Sequence, residues 1–340
     1  MLAAMDSAGN ASSVHHEGRK ARKLMDDARE ALAFNLGCLP QMITFTSGGT
    51  EANNMALGGT DVARILISAI EHDSVRAAAL ANGKPVEVIP VDQFGLVNLA
   101  ALEKMLAGPK ALVCVMAANN ETGVVQNIQE IVQLCAKAGS FTHVDAVQAF
   151  GKRPLNFGLL GCDMMTVGAH KVGGPTGIGA LIIRDGLVVN PLMNGGGQEL
   201  RRRAGTENLV AIAGFAAAAH APRINTIELV KQIESELQDT IIFGAGVERL
   251  CNTVCFAMQG MKAETALMNF DLEGIAVSSG SACSSGKVGR SHVLEAMGVA
   301  PEISASAIRV SCGWNTTAEH ISHFISVWQK LNQRIKAKAA

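Results

Sequence analysis

The sequence contains no tyrosine, and aromatic residues occupy only 4% of its 340 positions. Its formal net charge is −1, so no excess of charge favours nucleic acid or an anionic membrane as a binding partner. No apolar run approaches the ~20 residues that a transmembrane helix needs, and the first residues do not have the pattern of a secretory signal. We therefore expect a cytoplasmic protein without membrane or direct nucleic-acid contacts.

The eight cysteines do not form the pairs that a disulfide framework or a zinc site needs. The closest two, Cys251 and Cys255, are not followed by a second pair of ligands. A chain of this length can bury its apolar residues, 48% of the total, without cross-links. We predict free thiols and no metal site.

Short apolar runs alternate with segments of helical periodicity along the first two thirds of the chain. The predicted strands are 43–46, 64–70, 86–91, 111–117, 141–144, 164–167 and 179–183. The predicted helices between them include 20–36, 51–57, 99–106 and 128–138. Strands that alternate with helices indicate an α/β fold with a mainly parallel sheet flanked by helices. The pattern changes near Ile227, which predicts a large domain over 1–225 and a smaller α+β domain over 226–340.

Polar residues follow five of these strands, at the point where each strand ends. They are Thr50, His72, Asn120, Asp145 and Lys171. Ligands of open α/β sheets bind beyond the carboxyl ends of the strands. These five residues are therefore expected to point into one crevice.

Three of these positions have a possible chemical role and also an ordinary structural interpretation. The turn 47–50, which contains Gly49, opens a helix and suits a phosphate, or it is simply a tight turn. Lys171 follows a strand within a glycine-rich segment and could form a Schiff base, or it is a surface lysine. Asp145 could pair with the protonated ring nitrogen of pyridoxal phosphate (PLP), or it caps the next helix.

Seven motifs in order cover nearly the whole chain. They are SGGTEANN at 47–54, EHDSV at 71–75, NNETGVVQ at 119–126, HVDAVQAFGK at 143–152, AHKVGGPTGIGAL at 169–181, GGGQELRRRAGTEN at 195–208 and SSGSACSSG at 278–286. Together they resemble the cysteine desulfurases, which are PLP-dependent, class-V aminotransferase-like enzymes of PLP fold type I. The last motif is similar to the branch that serves nitrogen fixation and iron–sulfur cluster assembly.

The resemblance implies roles for three catalytic residues. Lys171 would hold PLP covalently and later shuttle the Cα proton of the substrate. His72 would stack on the cofactor ring and act as acid or base near the substrate thiol. Cys283 would take the sulfur of L-cysteine as a persulfide and release L-alanine. A thiolate on an exposed loop with Lys287 nearby suits that role.

Further cofactor and substrate contacts are implied by the same resemblance. The remaining cofactor residues would be Asp145 at the ring nitrogen, Gln148 at the phenolic oxygen, and Gly49, Thr50 and His170 at the phosphate, joined by Thr206 of a partner subunit. Asn120 and Arg309 would bind the substrate carboxylate. The shared site implies a homodimer. A sulfur-acceptor protein, either a cluster scaffold or a tRNA-thiolation enzyme, is the expected further partner.

The chain departs from the family pattern in ways that keep alternatives open. A family segment ahead of Gly9 is missing, and Gly168 stands where the pattern has a phosphate-binding serine. An N-terminally shortened, catalytically impaired PLP-binding homologue is therefore one alternative. A selenocysteine lyase is another, whereas the thiol loop at 278–286 argues against an aminotransferase.

Overall fold

The computed structural model describes residues 1–6, 9–237, 240–280 and 290–339, with side chains up to 337. Cys283 and Lys287 therefore lie outside the described residues. The chain divides into two compact units. The first unit comprises Met1–Ile89, Leu99–Ala117 and Asn127–Arg223, and the second comprises Pro90–Asn98, Ala118–Gln126 and Ile224–Ala340.

This division differs from the single boundary expected after residue 225. The main change lies at 223–224, close to that position, but Pro90–Asn98 and Ala118–Gln126 belong to the second unit. Backbone hydrogen bonds explain why Ala118–Gln126 belongs to the second unit. The Val125 amide donates to the oxygen of Glu248 (2.9 Å), and the Leu250 amide donates to the oxygen of Gly123 (2.8 Å). Asn120 is thereby part of the second unit.

A seven-stranded sheet forms the centre of the first unit. Its strands are β1 (Ile43–Thr46), β2 (Arg64–Ser68), β3 (Val86–Ile89), β4 (Ala111–Met116), β5 (Phe141–Asp145), β6 (Met164–Gly168) and β7 (Gly179–Ile183). Their order is β1-β7-β6-β5-β4-β2-β3. The pairs from β3 to β6 are parallel, and β7 runs antiparallel to both of its neighbours. The predicted α/β class with a mainly parallel sheet is confirmed.

Helices of the first unit precede, connect and follow these strands. They are α1 (Leu2–Met5), α2 (His16–Leu36), α3 (Gly49–Gly59), α4 (Asp73–Ala81), α5 (Leu99–Met105), α6 (Ile128–Lys137), α7 (Phe157–Leu160) and α8 (Leu209–His220). Short 3₁₀ turns cover Pro40–Met42, Ala169–Lys171 and Glu199–Arg201. Strands β2 and β4 are buried along their whole length, as expected for a sheet covered on both faces.

The second unit has its own sheet and its own apolar core. Its strands, β8 (Thr253–Ala257), β9 (Ser278–Ser279) and β10 (Ala307–Ser311), are antiparallel, with β10 in the centre. Its helices are α9 (Ile227–Glu236), α10 (Ala263–Leu272), α11 (His292–Ala296), α12 (Pro301–Ser304) and α13 (Ala318–Ala339). Phe256, Phe270 and Trp328 belong to one buried cluster that joins the sheet to its helices.

Within the described ranges, no helix is both long and apolar enough to cross a membrane. The same residues contain no cluster of three His, Cys, Asp or Glu side chains that could hold a metal ion.

Candidate active site

The turn between β1 and α3 exposes the backbone at the start of a helix of 11 residues. Gly48 has a φ of 155°, and a Cβ added there would meet no atom of the described residues within 4 Å. A side chain at Gly49 would displace Val147, because its Cβ would lie 2.8 Å from Cγ2 of that residue. The first amides of a helix have no intrahelical acceptor and carry the positive end of its dipole. The turn is therefore shaped to receive an anion.

Glu51 connects this turn to a distant segment of the first unit. Its Oε2 accepts a hydrogen bond from the Ser47 amide at 2.7 Å, and its Oε1 accepts one from Nε of Arg203 at 2.8 Å. Both side chains of the ion pair are only 20% exposed. Burial raises the pKa of Glu51, but the hydrogen bonds from Arg203 and Ser47 outweigh it, so that the net pKa is lowered. Glu51 is therefore an anion that holds the turn and Arg203 together.

The segment that contains Arg203 also carries Thr206, and it is anchored by a buried carboxylate. Glu199 accepts two hydrogen bonds from the Arg29 guanidinium, at 2.7 and 2.9 Å, and one from the Phe45 amide at 2.8 Å. Its φ of 44°, and the positive φ of the two residues after it, are strained for side chains with a Cβ. The ion pair holds this turn in place, and Thr206 follows it as an exposed residue.

Asp145 lies at the carboxyl end of β5, in the middle of the sheet, and is 6% exposed. Its Oδ1 accepts from the Val147 amide at 3.0 Å, and its Oδ2 accepts from Nδ2 of Asn53 at 2.8 Å. Burial raises the pKa of Asp145, whereas these two hydrogen bonds and the nearby His72 lower it in part. A buried carboxylate in this position favours a cationic partner.

His72 is the N-cap of α4. Its Nδ1 accepts from the Ser74 amide at 3.1 Å and lies 2.8 Å from Oγ of Ser74. Ser74 Oγ in turn accepts from Nδ2 of Asn53 at 2.8 Å. Asp145 and His72 are thus joined through two side chains that neither the strand pattern nor the spacing predicted as functional.

Lys171 and His170 lie in the 3₁₀ turn directly after β6. Burial lowers the pKa of His170, and the charges of Lys171, Lys152 and His72 lower it further. Lys152 donates from Nζ to Oε1 of Gln148 at 3.0 Å. The amide oxygen of Gln148 is therefore occupied, and its NH₂ group is the end available to an acceptor.

Glu71, next to His72, is a second buried acid of this region. Its Oε1 accepts from the Met116 amide at 2.8 Å and from Oγ of Ser68. Burial raises the pKa of Glu71 to about 8, although the hydrogen bond from Ser68 acts against the shift and the charge of Asp145 adds to it. Glu71 is therefore mainly neutral at pH 7.

The second unit contains the remaining described candidates. Arg309 lies on β10 and donates from Nη1 to the backbone oxygen of Asn120 at 2.7 Å. The Arg309 Nε atom is buried and has no hydrogen-bond partner among the described residues. The two predicted carboxylate-binding residues thus lie together, with one buried donor of Arg309 left over. Cys283 belongs to the same part of the chain but is outside the described residues.

The structure brings seven predicted residues together in the first unit. The group consists of Gly49, Thr50, His72, Asp145, Gln148, His170 and Lys171, all at or just after carboxyl ends of parallel strands or in the turns that follow. Sequence reasoning missed Asn53, Ser74, Glu51 and Arg203. Asn53 and Ser74 stand inside two of the recognised motifs, and a serine two residues after His72 is the one local signal, because it marks the first turn of a helix.

The family described as "Aminotransferase class-V" matches residues 3–324. The chain is 36% identical to "Cysteine desulfurase IscS" of Dictyoglomus turgidum, over 96% of this chain and 88% of that protein. It is 38% identical to "Cysteine desulfurase" of Nostoc sp., over 98% of this chain and 88% of the relative.

The chain belongs to the cysteine desulfurase family.

Solved structures of similar sequence have the same fold. The NifS-like protein from Rickettsia africae is 38% identical, with a TM-score of 0.90, and the alignment covers 98% of this chain and 94% of that one. A structure described as "SspA in complex with cysteine" is 30% identical, with a TM-score of 0.80, over 91% of this chain and 94% of the other. The predicted family and PLP fold type I are confirmed.

Cysteine desulfurases depend on PLP, and the first unit has the features that this cofactor requires. The phosphate suits the amides at the start of α3, where Gly48 leaves open space. The ring nitrogen, as a cation, suits the buried carboxylate of Asp145. The NH₂ end of Gln148, held by Lys152, suits an oxygen acceptor. The residues present therefore fit PLP.

Proposed function

We propose that this chain is an active cysteine desulfurase, which converts L-cysteine to L-alanine and transfers the sulfur to its own Cys283. The observation that carries the proposal is the buried Asp145 at the end of β5, linked to His72 and close to the Lys171 turn, in a chain of this family. That group combines a carboxylate for a cationic ring, an imidazole and a primary amine at one edge of the sheet.

PLP, when bound, withdraws electrons from Cα of the substrate and so weakens the bond to sulfur. The protein residues position and protonate the reactants. Asp145 would keep the ring nitrogen protonated, and Gln148 would donate to the phenolic oxygen. Lys171 would hold the cofactor and move a proton at Cα of the substrate. The amides at Gly49 and Thr50, with His170 and the partner subunit's Thr206, would bind the phosphate.

Arg309 and Asn120 would bind the carboxylate of L-cysteine. The buried Nε of Arg309 supports this assignment, because a guanidinium edge matches a carboxylate and a buried donor needs an acceptor. His72 would face the substrate sulfur. Cys283, as a thiolate, would attack that sulfur and become the persulfide, while the Cβ–S bond of the substrate breaks and its electron pair stays with the carbon that becomes the methyl group of alanine.

The biological setting proposed is a homodimer in the cytoplasm that passes sulfur to an acceptor protein. The acceptor would be a scaffold for iron–sulfur clusters or an enzyme of tRNA thiolation. The dimer follows from the role proposed for Thr206, which would complete the phosphate site of the partner subunit.

A catalytically impaired PLP-binding homologue is the second candidate. The observation that favours it is Gly168, because a hydroxyl at this position is the family's additional phosphate ligand. The selenocysteine lyase alternative is tested by adding selenocysteine as a substrate that competes with cysteine.

The first experiment measures alanine formed from cysteine by the full chain with PLP and a thiol reductant. We expect turnover, loss of the visible band of bound cofactor in Lys171→Ala, and a retained band without persulfide in Cys283→Ser. Bound PLP without alanine would favour the impaired homologue. Persulfide labelling that persists in Cys283→Ser would assign the acceptor role to another cysteine.

A further inference from the structure

Four side chains of the first unit form a continuous hydrogen-bonded chain. It runs from Oδ2 of Asp145 to Nδ2 of Asn53 (2.8 Å), from Nδ2 of Asn53 to Oγ of Ser74 (2.8 Å), and from Oγ of Ser74 to Nδ1 of His72 (2.8 Å). Asn53 is 1% exposed and Asp145 is 6% exposed, so that the inner half of the chain is shielded from water.

The charge of Asp145 determines the direction of every bond in this chain. An ionised carboxylate only accepts, so Asn53 must present its NH₂ group to Asp145. The second hydrogen of that NH₂ group is donated to Oγ of Ser74, which leaves the Ser74 hydroxyl hydrogen to be donated elsewhere. In this orientation the Oδ1 atom of Asn53 is buried without a partner among the described residues. Reversing the amide would place that oxygen against the carboxylate instead.

The Ser74 hydroxyl therefore donates to Nδ1 of His72, alongside the Ser74 amide at 3.1 Å. Because Nδ1 accepts both hydrogen bonds, the neutral ring carries its proton on Nε2. The same two bonds hold the ring plane in one orientation at the start of α4.

We propose that Asn53 and Ser74 are positioning residues, which transmit the charge of Asp145 to His72 and hold its ring in a single orientation with the proton on Nε2. His72 then meets the substrate sulfur as a hydrogen-bond donor. That last role rests on the proposed function, whereas the state of the ring in the protein without substrate does not.

The test uses the full chain labelled with ¹⁵N in its histidines, and His72→Gln assigns the His72 resonances. In the parent protein we expect Nδ1 to appear as an unprotonated acceptor and Nε2 as the protonated nitrogen. Ser74→Ala should shift Nδ1 towards the value of an acceptor with fewer hydrogen bonds. It should also lower kcat by about 10-fold, less than the roughly 100-fold that a 1 Å misplacement of a catalytic group can cost. Ser74→Thr keeps the hydroxyl and should restore both properties.

Asn53→Asp separates transmission from direct hydrogen bonding, because the Nδ2 atom of Asn53 donates to Ser74 and Asp145. The new side chain has nearly the same shape but no NH₂ group, so the Ser74 hydroxyl should turn to it and release Nδ1. We expect the Nδ1 resonance to move in the same direction as in Ser74→Ala. The matched control is Asn54→Ala in the same helix, where the amide donates to the backbone oxygen of Thr50 at 2.9 Å; it should leave the His72 resonances in place.

A proton on Nδ1 in the parent protein would overturn the proposal. An unchanged Nδ1 resonance in both Ser74→Ala and Asn53→Asp would do the same, whatever the activity. Absence of turnover in the parent protein, with the predicted resonances present, would instead reject the proposed function and leave the positioning roles intact.

Discussion

Gly168, the last residue of β6, is the clearest departure from the family pattern at the scale of a single residue. Its φ of −138° is ordinary for any residue. A Cβ added there would lie 3.4 Å from Nδ1 of His170 and 3.6 Å from Cγ1 of Val147, which is normal van der Waals contact. The backbone therefore admits a serine without strain.

We predict that Gly168→Ser strengthens PLP binding. One added hydrogen bond to the phosphate is worth about 1 kcal/mol, which corresponds to a decrease of roughly 5-fold in Kd. Gly168→Ala supplies the Cβ without the hydroxyl and is the control. Titration of PLP into cofactor-free protein, followed by absorbance, measures both variants. Equal Kd values for the serine and alanine variants would show that the hydroxyl does not reach the phosphate.

The raised pKa of Glu71 predicts that the stability of the protein depends on pH. Burial raises this pKa to about 8 in the folded protein, against an ordinary value of 4.5. Between these values the folded state retains a proton that the unfolded state has lost, so this residue's contribution to stability decreases as pH rises from about 4.5 to about 8.

Glu71→Gln should remove that dependence, because the amide is neutral at every pH and has nearly the same shape. We expect the Tm of the variant to exceed that of the parent by roughly 2 °C or more at pH 8 and to approach or fall below it near pH 5. Thermal unfolding across this range measures the difference. A constant difference in Tm at all pH values would contradict the raised pKa.

At the scale of elements, the strands were easier to predict than the helices. The bounds of β1 and β7 agree with the prediction, because short apolar runs between turn residues are distinctive. Helices α4 and α8 were missed. The α8 sequence is apolar on every side, so it has no strong 3.6-residue alternation of apolar and polar positions, and α4 is a short helix rich in alanine.

The ion pair between Glu51 and Arg203 joins the start of α3 to the segment that contains Thr206. We predict that Arg203→Gln raises the Kd for PLP by about 3-fold to 10-fold, because it leaves the Glu51 carboxylate uncompensated beside the phosphate turn. Adding Glu51→Gln to that variant should recover most of the affinity. The control is Lys231→Gln, which removes an exposed pair with Glu228. A Kd for Arg203→Gln equal to that of the parent would show that the pair does not act on the phosphate site.

At the scale of the whole molecule, the proposed sharing of Thr206 between subunits can be tested by mixing. Co-expression of a Lys171→Ala chain with a Thr206→Ala chain creates a dimer in which one site has both residues and the other has neither. We expect purified mixed dimers to have about half the parent activity, since one of two symmetric sites is intact. The Lys171→Ala homodimer should be inactive and the Thr206→Ala homodimer should bind PLP weakly.

The mixed dimer should instead have low activity if the Thr206 of each subunit binds the phosphate in that subunit's own site. Both sites of the mixed dimer would then be damaged, and its activity would not exceed the average of the two homodimers. Separate affinity tags on the two chains allow the mixed species to be isolated before the assay.

The division of the chain into two units also depends on contacts between segments that are distant in sequence. Continuity along the chain suggested one boundary after residue 225. Asn120 instead belongs to the second unit, because Gly123 and Val125 bond to the backbone near Arg249. Local patterns contain no information on such pairings between distant segments.

The sequence alone determined the α/β class and the family, and it predicted the reactive side chains, since these depend on local periodicity, glycine-rich turns and the order of motifs. It placed Asp145, His72 and Lys171 after separate strands, and parallel strands end at one edge of a sheet. Only the tertiary structure decided that Asn53 and Ser74 join Asp145 to His72. The physical reason is that a hydrogen bond requires its two atoms to lie near 2.8 Å in a defined direction. The order of β2, β4 and β5 in the sheet, together with the packing of α3 against α4, brings residues from three distant segments to that distance.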